Sequence, residues 1–235
     1  MRLLVIGGAG FVGRMVLPHL AARHQVRVFD LPRPPAGPWE AVVGDVTDFQ
    51  GLRNAMEGID AILYMAMNPK REWGELQSLE GAFDINVKGV HLTLWAAHQR
   101  AVPHLVATSS MSVYRHRDRY PDESAPPDVD EFYGLTKRLG EEVERSAVRA
   151  WRVTVTALRL CFPIPDDDEA PTEPPFRAQT YTRARDVAAA IEKGLEHRDG
   201  FSVFAISGDR DQSMVSTAKA RQVLGWRPTD ELVRR

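Results

Sequence analysis

A single cysteine, Cys161, stands in 235 residues. No internal disulfide can brace the chain, and no Cys/His companions surround Cys161 at a zinc-like spacing, so no metal site is expected. A reducing compartment suits such a chain. Neither sign of charge is in excess: 30 lysines and arginines face 32 aspartates and glutamates, for a formal net charge of -2. That balance gives no basic field for nucleic acid. No apolar run approaches the ~18 residues that suggest a membrane helix. The N-terminus enters strand-like Arg2–Ile6 directly, without a signal-peptide pattern. These absences predict a cytoplasmic protein with neither membrane nor nucleic acid as partner. Internal repeats and low-complexity linkers are also lacking, so residues 1–235 read as one domain.

What is present is alternation. Leu3–Ile6 is a compact apolar run, followed by glycines and a helical pattern from Phe11 to about Arg23. Strands are expected at Gln25–Asp30, Ala41–Gly44, Asp60–Met65 and His104–Ser109. Helices are expected near 48–58 and over 79–100. The second half continues with a helix at 133–150, a strand at Arg152–Arg159, a helix at Arg185–His197, a strand at Phe201–Ile206 and a last helix at 216–224. Near-continuous apolar strands are buried on both faces, and strand-helix alternation requires right-handed parallel crossovers. The expected fold is α/β: a Rossmann-like doubly wound parallel sheet with a small C-terminal substrate-binding region. Elements from about 161–181 and 207–235 are assigned to that region.

Gly7, Gly10 and Gly13 form G-x-x-G-x-x-G between the first strand and the first helix. Such a turn lets backbone N–H groups at a helix N-terminus approach a pyrophosphate, with Phe11 and Val12 inside the same loop. Asp30 follows Gly13 by seventeen positions, close to the ~20 typical of the acidic residue that accepts from an adenosine ribose diol. A carboxylate there repels a 2′-phosphate, so NAD is expected as cofactor. Arg14 and Arg33 leave NADP open.

Several ordered segments carry a resemblance. They are Gly7-Gly8-Ala9-Gly10-Phe11-Val12-Gly13, Gly44-Asp45-Val46-Thr47-Asp48, Asn86-Val87-Lys88-Gly89-Val90, Thr108-Ser109-Ser110-Met111-Ser112-Val113-Tyr114 and Tyr133-Gly134-Leu135-Thr136-Lys137. With Arg185-Asp186-Val187-Ala188 and Leu224-Gly225-Trp226-Arg227-Pro228, they span nearly the whole chain. The sequence resembles the extended short-chain dehydrogenase/reductase superfamily, in its branch of NAD-dependent epimerases and dehydratases. The resemblance implies Asp45 and Val46 near the adenine, and Ala66 and Asn86 near the cofactor. It also implies Tyr133 against the cofactor, Lys137 on the nicotinamide ribose, and a homodimer through the helices 79–100 and 133–150. Departures occur at Tyr64-Met65-Ala66-Met67 and Cys161-Phe162-Pro163-Ile164. The C-terminal region is short, which resembles the uronate dehydrogenases of the same superfamily.

Tyr133 and Lys137 stand i to i+4 on one helix face. An ammonium beside a phenol, with the positive charge of an oxidised nicotinamide, favours the phenolate that a base requires. Ser109 and Ser110 both lie where the fifth strand ends, and alignment on Val113-Tyr114 selects Ser110 as the hydroxyl that orients the reacting oxygen. Ser109 then reads as a turn residue. Ser110, Tyr133 and Lys137 are the expected catalytic residues. Ser110 and Ser112 could meet a carbohydrate substrate, and Arg159 and Arg185 its carboxylate if not taken by salt bridges. Asp186 reads as a helix cap. The expected activity is oxidation of a sugar or sugar-acid hydroxyl by hydride transfer to NAD. A nucleotide-sugar epimerase (such as a UDP-sugar 4-epimerase) is the second reading, and a catalytically silent NAD(P)-binding sensor the third.

Overall fold

The computed structural model describes residues 1–68, 76–168 and 178–229. Parts of the expected substrate-binding elements, 169–177 of 161–181 and 230–235 of 207–235, therefore lie outside the described residues.

Seven strands form one sheet in the order β3-β2-β1-β4-β5-β6-β9. They are β1 (Arg2–Ile6), β2 (Gln25–Asp30), β3 (Trp39–Val43), β4 (Ala61–Tyr64), β5 (His104–Ser110), β6 (Thr154–Leu160) and β9 (Phe201–Ile206). Every neighbouring pair is parallel. The strand order reverses between β1 and β4, and such a switch point opens a crevice at the carboxyl ends of the strands.

The period-two alternation of the strands divides the core into two layers. Leu3 and Val5 of β1 pack with α1 (Phe11–Ala21) and α6 (Ala184–Glu196) on one face. Leu4 and Ile6 pack on the other with α2 (Phe49–Ala55), α4 (Val90–Gln99) and α5 (Phe132–Ala150). The single helix expected at 79–100 starts earlier and is divided. α3 (Leu76–Phe83) leads into a π-helical turn, Asp84–Gly89, before α4. A two-residue ladder joins β7 (Pro163–Ile164) to β8 (Thr182–Arg183). Among the described residues no helix is long and apolar enough to cross a membrane.

Asp186 does not cap α6. Arg183 holds the N-cap position without a side-chain bond, and Asp166 supplies the acceptor from a distance, its Oδ1 taking the Arg185 N–H at 3.0 Å. Asp186 instead anchors the C-terminal segment. Its Oδ1 accepts from the N–H and hydroxyl of Thr229, and its carbonyl accepts from the Trp226 indole.

Candidate active site

The glycine loop is shaped by close backbone contact. Gly7 adopts φ +85°, and a Cβ there would lie 2.3 Å from the Ala66 nitrogen. A Cβ on Gly13 would lie 2.5 Å from the Gly8 carbonyl oxygen. Side chains at these positions would push the loop away from the sheet edge. Gly10 is the N-cap of α1, so the N–H groups that follow have no partner within the helix. The result is a backbone cradle at the carboxyl edge of β1, of the form that fits a dinucleotide pyrophosphate.

Asp30 ends β2 beside the cradle. Its Oδ2 accepts from the Ala9 N–H at 2.8 Å and its Oδ1 from the Leu31 N–H at 2.8 Å. Arg14 Nε donates to the Ala9 carbonyl at 2.7 Å. Burial raises the Asp30 carboxyl above its ordinary range, against the Ala9 and Leu31 hydrogen bonds and the Arg14 charge. Asp30 thus fixes the glycine loop while each oxygen keeps a lone pair for a further donor. Asp45 is exposed, and its Oδ1 accepts from the backbone and hydroxyl of Thr47. Val46 is buried. Phe11 is largely exposed at the mouth of the loop, and Val12 packs against the core beneath it.

Ser110 closes β5. Its hydroxyl accepts from the Ser112 N–H at 3.1 Å, starting the short 3-10 turn Met111–Val113. The same hydroxyl is hydrogen-bonded to the Tyr133 phenol. Tyr133 lies in the first turn of α5, whose N-cap Glu131 accepts from the N–H groups of Tyr133 and Gly134. Gly134 is needed here, because a Cβ would lie 1.9 Å from the Ser112 carbonyl oxygen. Lys137 is buried, donates to the Thr108 carbonyl at 3.0 Å, and places Nζ 5.9 Å from the centre of the Tyr133 ring. Burial pushes the phenol up to about 12; the Ser110 bond opposes that rise and the Glu131 charge adds to it.

Asn86 lies in the π turn, 3% exposed. Its amide donates to the Thr136 hydroxyl at 3.0 Å, while its Oδ1 has no partner. The structure thus brings Ser110, Tyr133 and Lys137 together at the carboxyl end of β5, with the glycine loop at the same edge after β1, two strands away.

Arg159 does not face that edge. It is 2% exposed, with Nε and Nη2 on Glu141 at 2.9 and 2.7 Å and Nη1 on the Tyr114 hydroxyl at 2.6 Å. Three of its N–H groups are engaged inside the protein, so the salt bridge replaces the substrate contact. Ser109 joins the same network, donating to Glu141 at 2.6 Å. Arg185 pairs with Asp166 across 3.8 Å, and Asp166 also meets His19. Ser112 presents its backbone to Ser110 and Gly134. Cys161 is buried, and its burial pushes the thiol up to about 12. No cluster of three potential ligands for a metal exists among the described residues.

Sequence reasoning missed Glu131, Glu141 and Glu144. The signal was available for two of them, because Glu141 and Glu144 follow Lys137 at i+4 and i+7 on the face of α5 that turns inward.

The chain belongs to the NAD dependent epimerase/dehydratase family, whose model matches residues 3–173. It is 32% identical to N-acetyl-alpha-D-glucosaminyl-diphospho-ditrans,octacis-undecaprenol 4-epimerase of Escherichia coli over 60% of this chain, spanning 42% of that protein's length. It is 31% identical to a uronate dehydrogenase of Pseudomonas putida, over 83% of this chain and 71% of the relative. The fold is shared with the crystal structure of uronate dehydrogenase from Agrobacterium tumefaciens, with TM-score 0.80, 24% identity and coverage of 97% and 84%.

Proposed function

We propose that the protein is an NAD-dependent oxidoreductase that oxidises a hydroxyl of a sugar or sugar acid, with Tyr133 as base. The observation that carries this reading is the buried Lys137, its Nζ 5.9 Å from the centre of the Tyr133 ring, with Ser110 beside the phenol at the edge where the glycine cradle opens. NAD, when bound, supplies the carbon that accepts the hydride. The cradle of Gly7, Gly10 and Gly13 would hold its pyrophosphate and Asp30 its adenosine ribose. Asp45, Val46, Ala66 and Asn86 would line the rest of the cofactor path, with Lys137 on the nicotinamide ribose.

Ser110 orients the reacting oxygen, and Tyr133 takes its proton as the carbon–hydrogen bond breaks. A phenol near 12 is no base at neutral pH. The Lys137 ammonium and the positive charge of the oxidised cofactor lower it. Rate therefore rises with pH as the phenolate forms.

The Pseudomonas putida relative carries the name uronate dehydrogenase and aligns with more of this chain than the epimerase does. That supports net oxidation of a free sugar acid over epimerisation. The test is NADH fluorescence with excess NAD across free sugars, uronic acids and nucleotide sugars. NADH accumulation with a free sugar or uronic acid is expected. A nucleotide sugar turned into its epimer without net NADH would overturn the dehydrogenase reading.

Asp30→Ala should lose roughly ten- to a hundredfold in NAD affinity, the range for hydrogen bonds to a charged group. NADP affinity should fall much less, because a repelling carboxylate is removed. Titration of both cofactors by fluorescence checks this, and equal losses for the two would contradict it.

We also propose a homodimer through α4 and α5. His91, Trp95, His98 and Trp151 form one aromatic patch there, with Trp95 and Trp151 rings 5.0 Å apart and the His98 ring stacked 6.0 Å from Trp151. Its members are only partly buried, and such patches are where partners dock. Trp151→Glu should shift sedimentation from dimer to monomer. An unchanged monomer in the parent protein would remove the proposal.

A further inference from the structure

Below Lys137, α5 carries an acidic side chain that the proposed reaction does not use. Lys137, Glu141 and Glu144 lie at i, i+4 and i+7, and all three are buried. Glu141 is fully engaged by Arg159 and Ser109. Glu144 is 4% exposed, and its Oε2 has no hydrogen-bond partner.

Among the described residues, no ion pair to Glu144 is formed, and the charges that favour its carboxylate are Lys137 and Arg145. A Cβ on Gly140 would lie 2.8 Å from the Asn86 carbonyl oxygen, so α5 packs directly on the π turn. Asn86 Oδ1 in that turn and Thr93 Oγ1 in α4 are buried and also unpartnered. From β4, the Tyr64 phenol donates to the Ile85 carbonyl at 2.6 Å and stays neutral, pushed up by burial, with the Glu144 and Asp45 charges adding to that rise. From β6, Arg159 is committed to Glu141. The charges that act on Glu144 are those of its own helix: Glu141, Lys137 and Arg145.

A buried carboxylate with an oxygen that has no donor is disfavoured, so such a group holds its proton to higher pH. Burial first, and the Glu141 charge second, push the Glu144 carboxyl up to about 8, against the pull of Lys137 and Arg145.

We propose that Glu144 is a positioning residue for Tyr133: as a neutral acid it leaves the Lys137 ammonium's field to the phenol, and once ionised it cancels part of that field. This rests on the reading of Tyr133 as the base. At acidic pH, wild type and Glu144→Gln then carry the same charge around Lys137. Above the Glu144 midpoint, only the wild type gains a negative charge there, which disfavours the phenolate.

The test is the ultraviolet phenolate band of Tyr133 in the presence of saturating NAD, taken as the difference from Tyr133→Phe. In Glu144→Gln the midpoint should fall by about half a pH unit, a roughly threefold change in the ionisation constant. In a Lys137→Met background a shift in the same direction should persist, because the two charges act on the phenol additively. Where a substrate is in hand, kcat/KM of Glu144→Gln should equal wild type well below the Glu144 midpoint and exceed it about threefold well above. Glu144→Leu gives the same comparison if the Gln protein does not fold. Identical midpoints in wild type and both variants would overturn the proposal, and so would a midpoint that rises in Glu144→Gln. A midpoint shift with no turnover of any sugar would refute the substrate reading alone. Normal turnover with identical midpoints would refute only the role of Glu144.

Discussion

Tyr133→Phe is expected to lower kcat by roughly a hundred- to ten-thousandfold, the range for losing a positioned general base. Affinity for NAD should stay close to wild type. The phenol touches Ser110 through its hydroxyl, and the ring that packs at the start of α5 is retained by phenylalanine. Lys137→Met should behave differently. It removes the charge that favours the phenolate and a contact proposed for the cofactor, so turnover and NAD affinity fall together. Stopped-flow fluorescence and equilibrium titration separate the two patterns. A Tyr133→Phe protein with near-normal turnover would mean that another group takes the proton.

Glu141→Ala should destabilise the fold by about 3–5 kcal/mol, because it leaves the Arg159 guanidinium buried without its anion. Both partners are 2% exposed, so solvent cannot compensate. Ser109 loses its acceptor in the same step. The effect should reach the loop after β5, since Arg159 holds Tyr114, whose hydroxyl donates to the carbonyls of Asp122 and Ala125. Replacing the pair together, Glu141→Leu with Arg159→Met, should recover much of the loss, as buried pairs are often exchanged for apolar groups at little net cost. Urea denaturation of the three proteins measures this. A Glu141→Ala midpoint equal to wild type would show that water reaches Arg159.

The strands were legible because β1, β4 and β5 are buried on both faces and read as short apolar runs. β9 was placed with its observed bounds. The π turn at 84–89 left no local mark. Its geometry goes with contacts from elsewhere in the chain, namely the Tyr64 hydroxyl on the Ile85 carbonyl and Gly140 on the Asn86 carbonyl. The β7–β8 ladder pairs Pro163 with Thr182 across a proline-rich stretch, and no periodicity announces two-residue strands.

At the site, the positions of the glycines after β1, of Asp30 at the end of β2 and of Tyr133 and Lys137 on α5 were readable from their spacing. Arg159 was not. An arginine at a strand end meets solvent or a buried anion according to what the facing helix carries, and here it carries Glu141. Asp186 was misread for a related reason: the acceptor for the start of α6 comes from Asp166, nineteen residues before Arg185.

The most direct test follows the hydride. A uronic acid deuterated at the carbon to be oxidised is mixed with enzyme and NAD for one turnover, and the cofactor is analysed by mass. Deuterium in the reduced nicotinamide, absent with Tyr133→Phe, is the predicted result. Unlabelled cofactor across the sugar panel, or label returned to an epimerised sugar, would contradict a dehydrogenase that uses Tyr133 as its base.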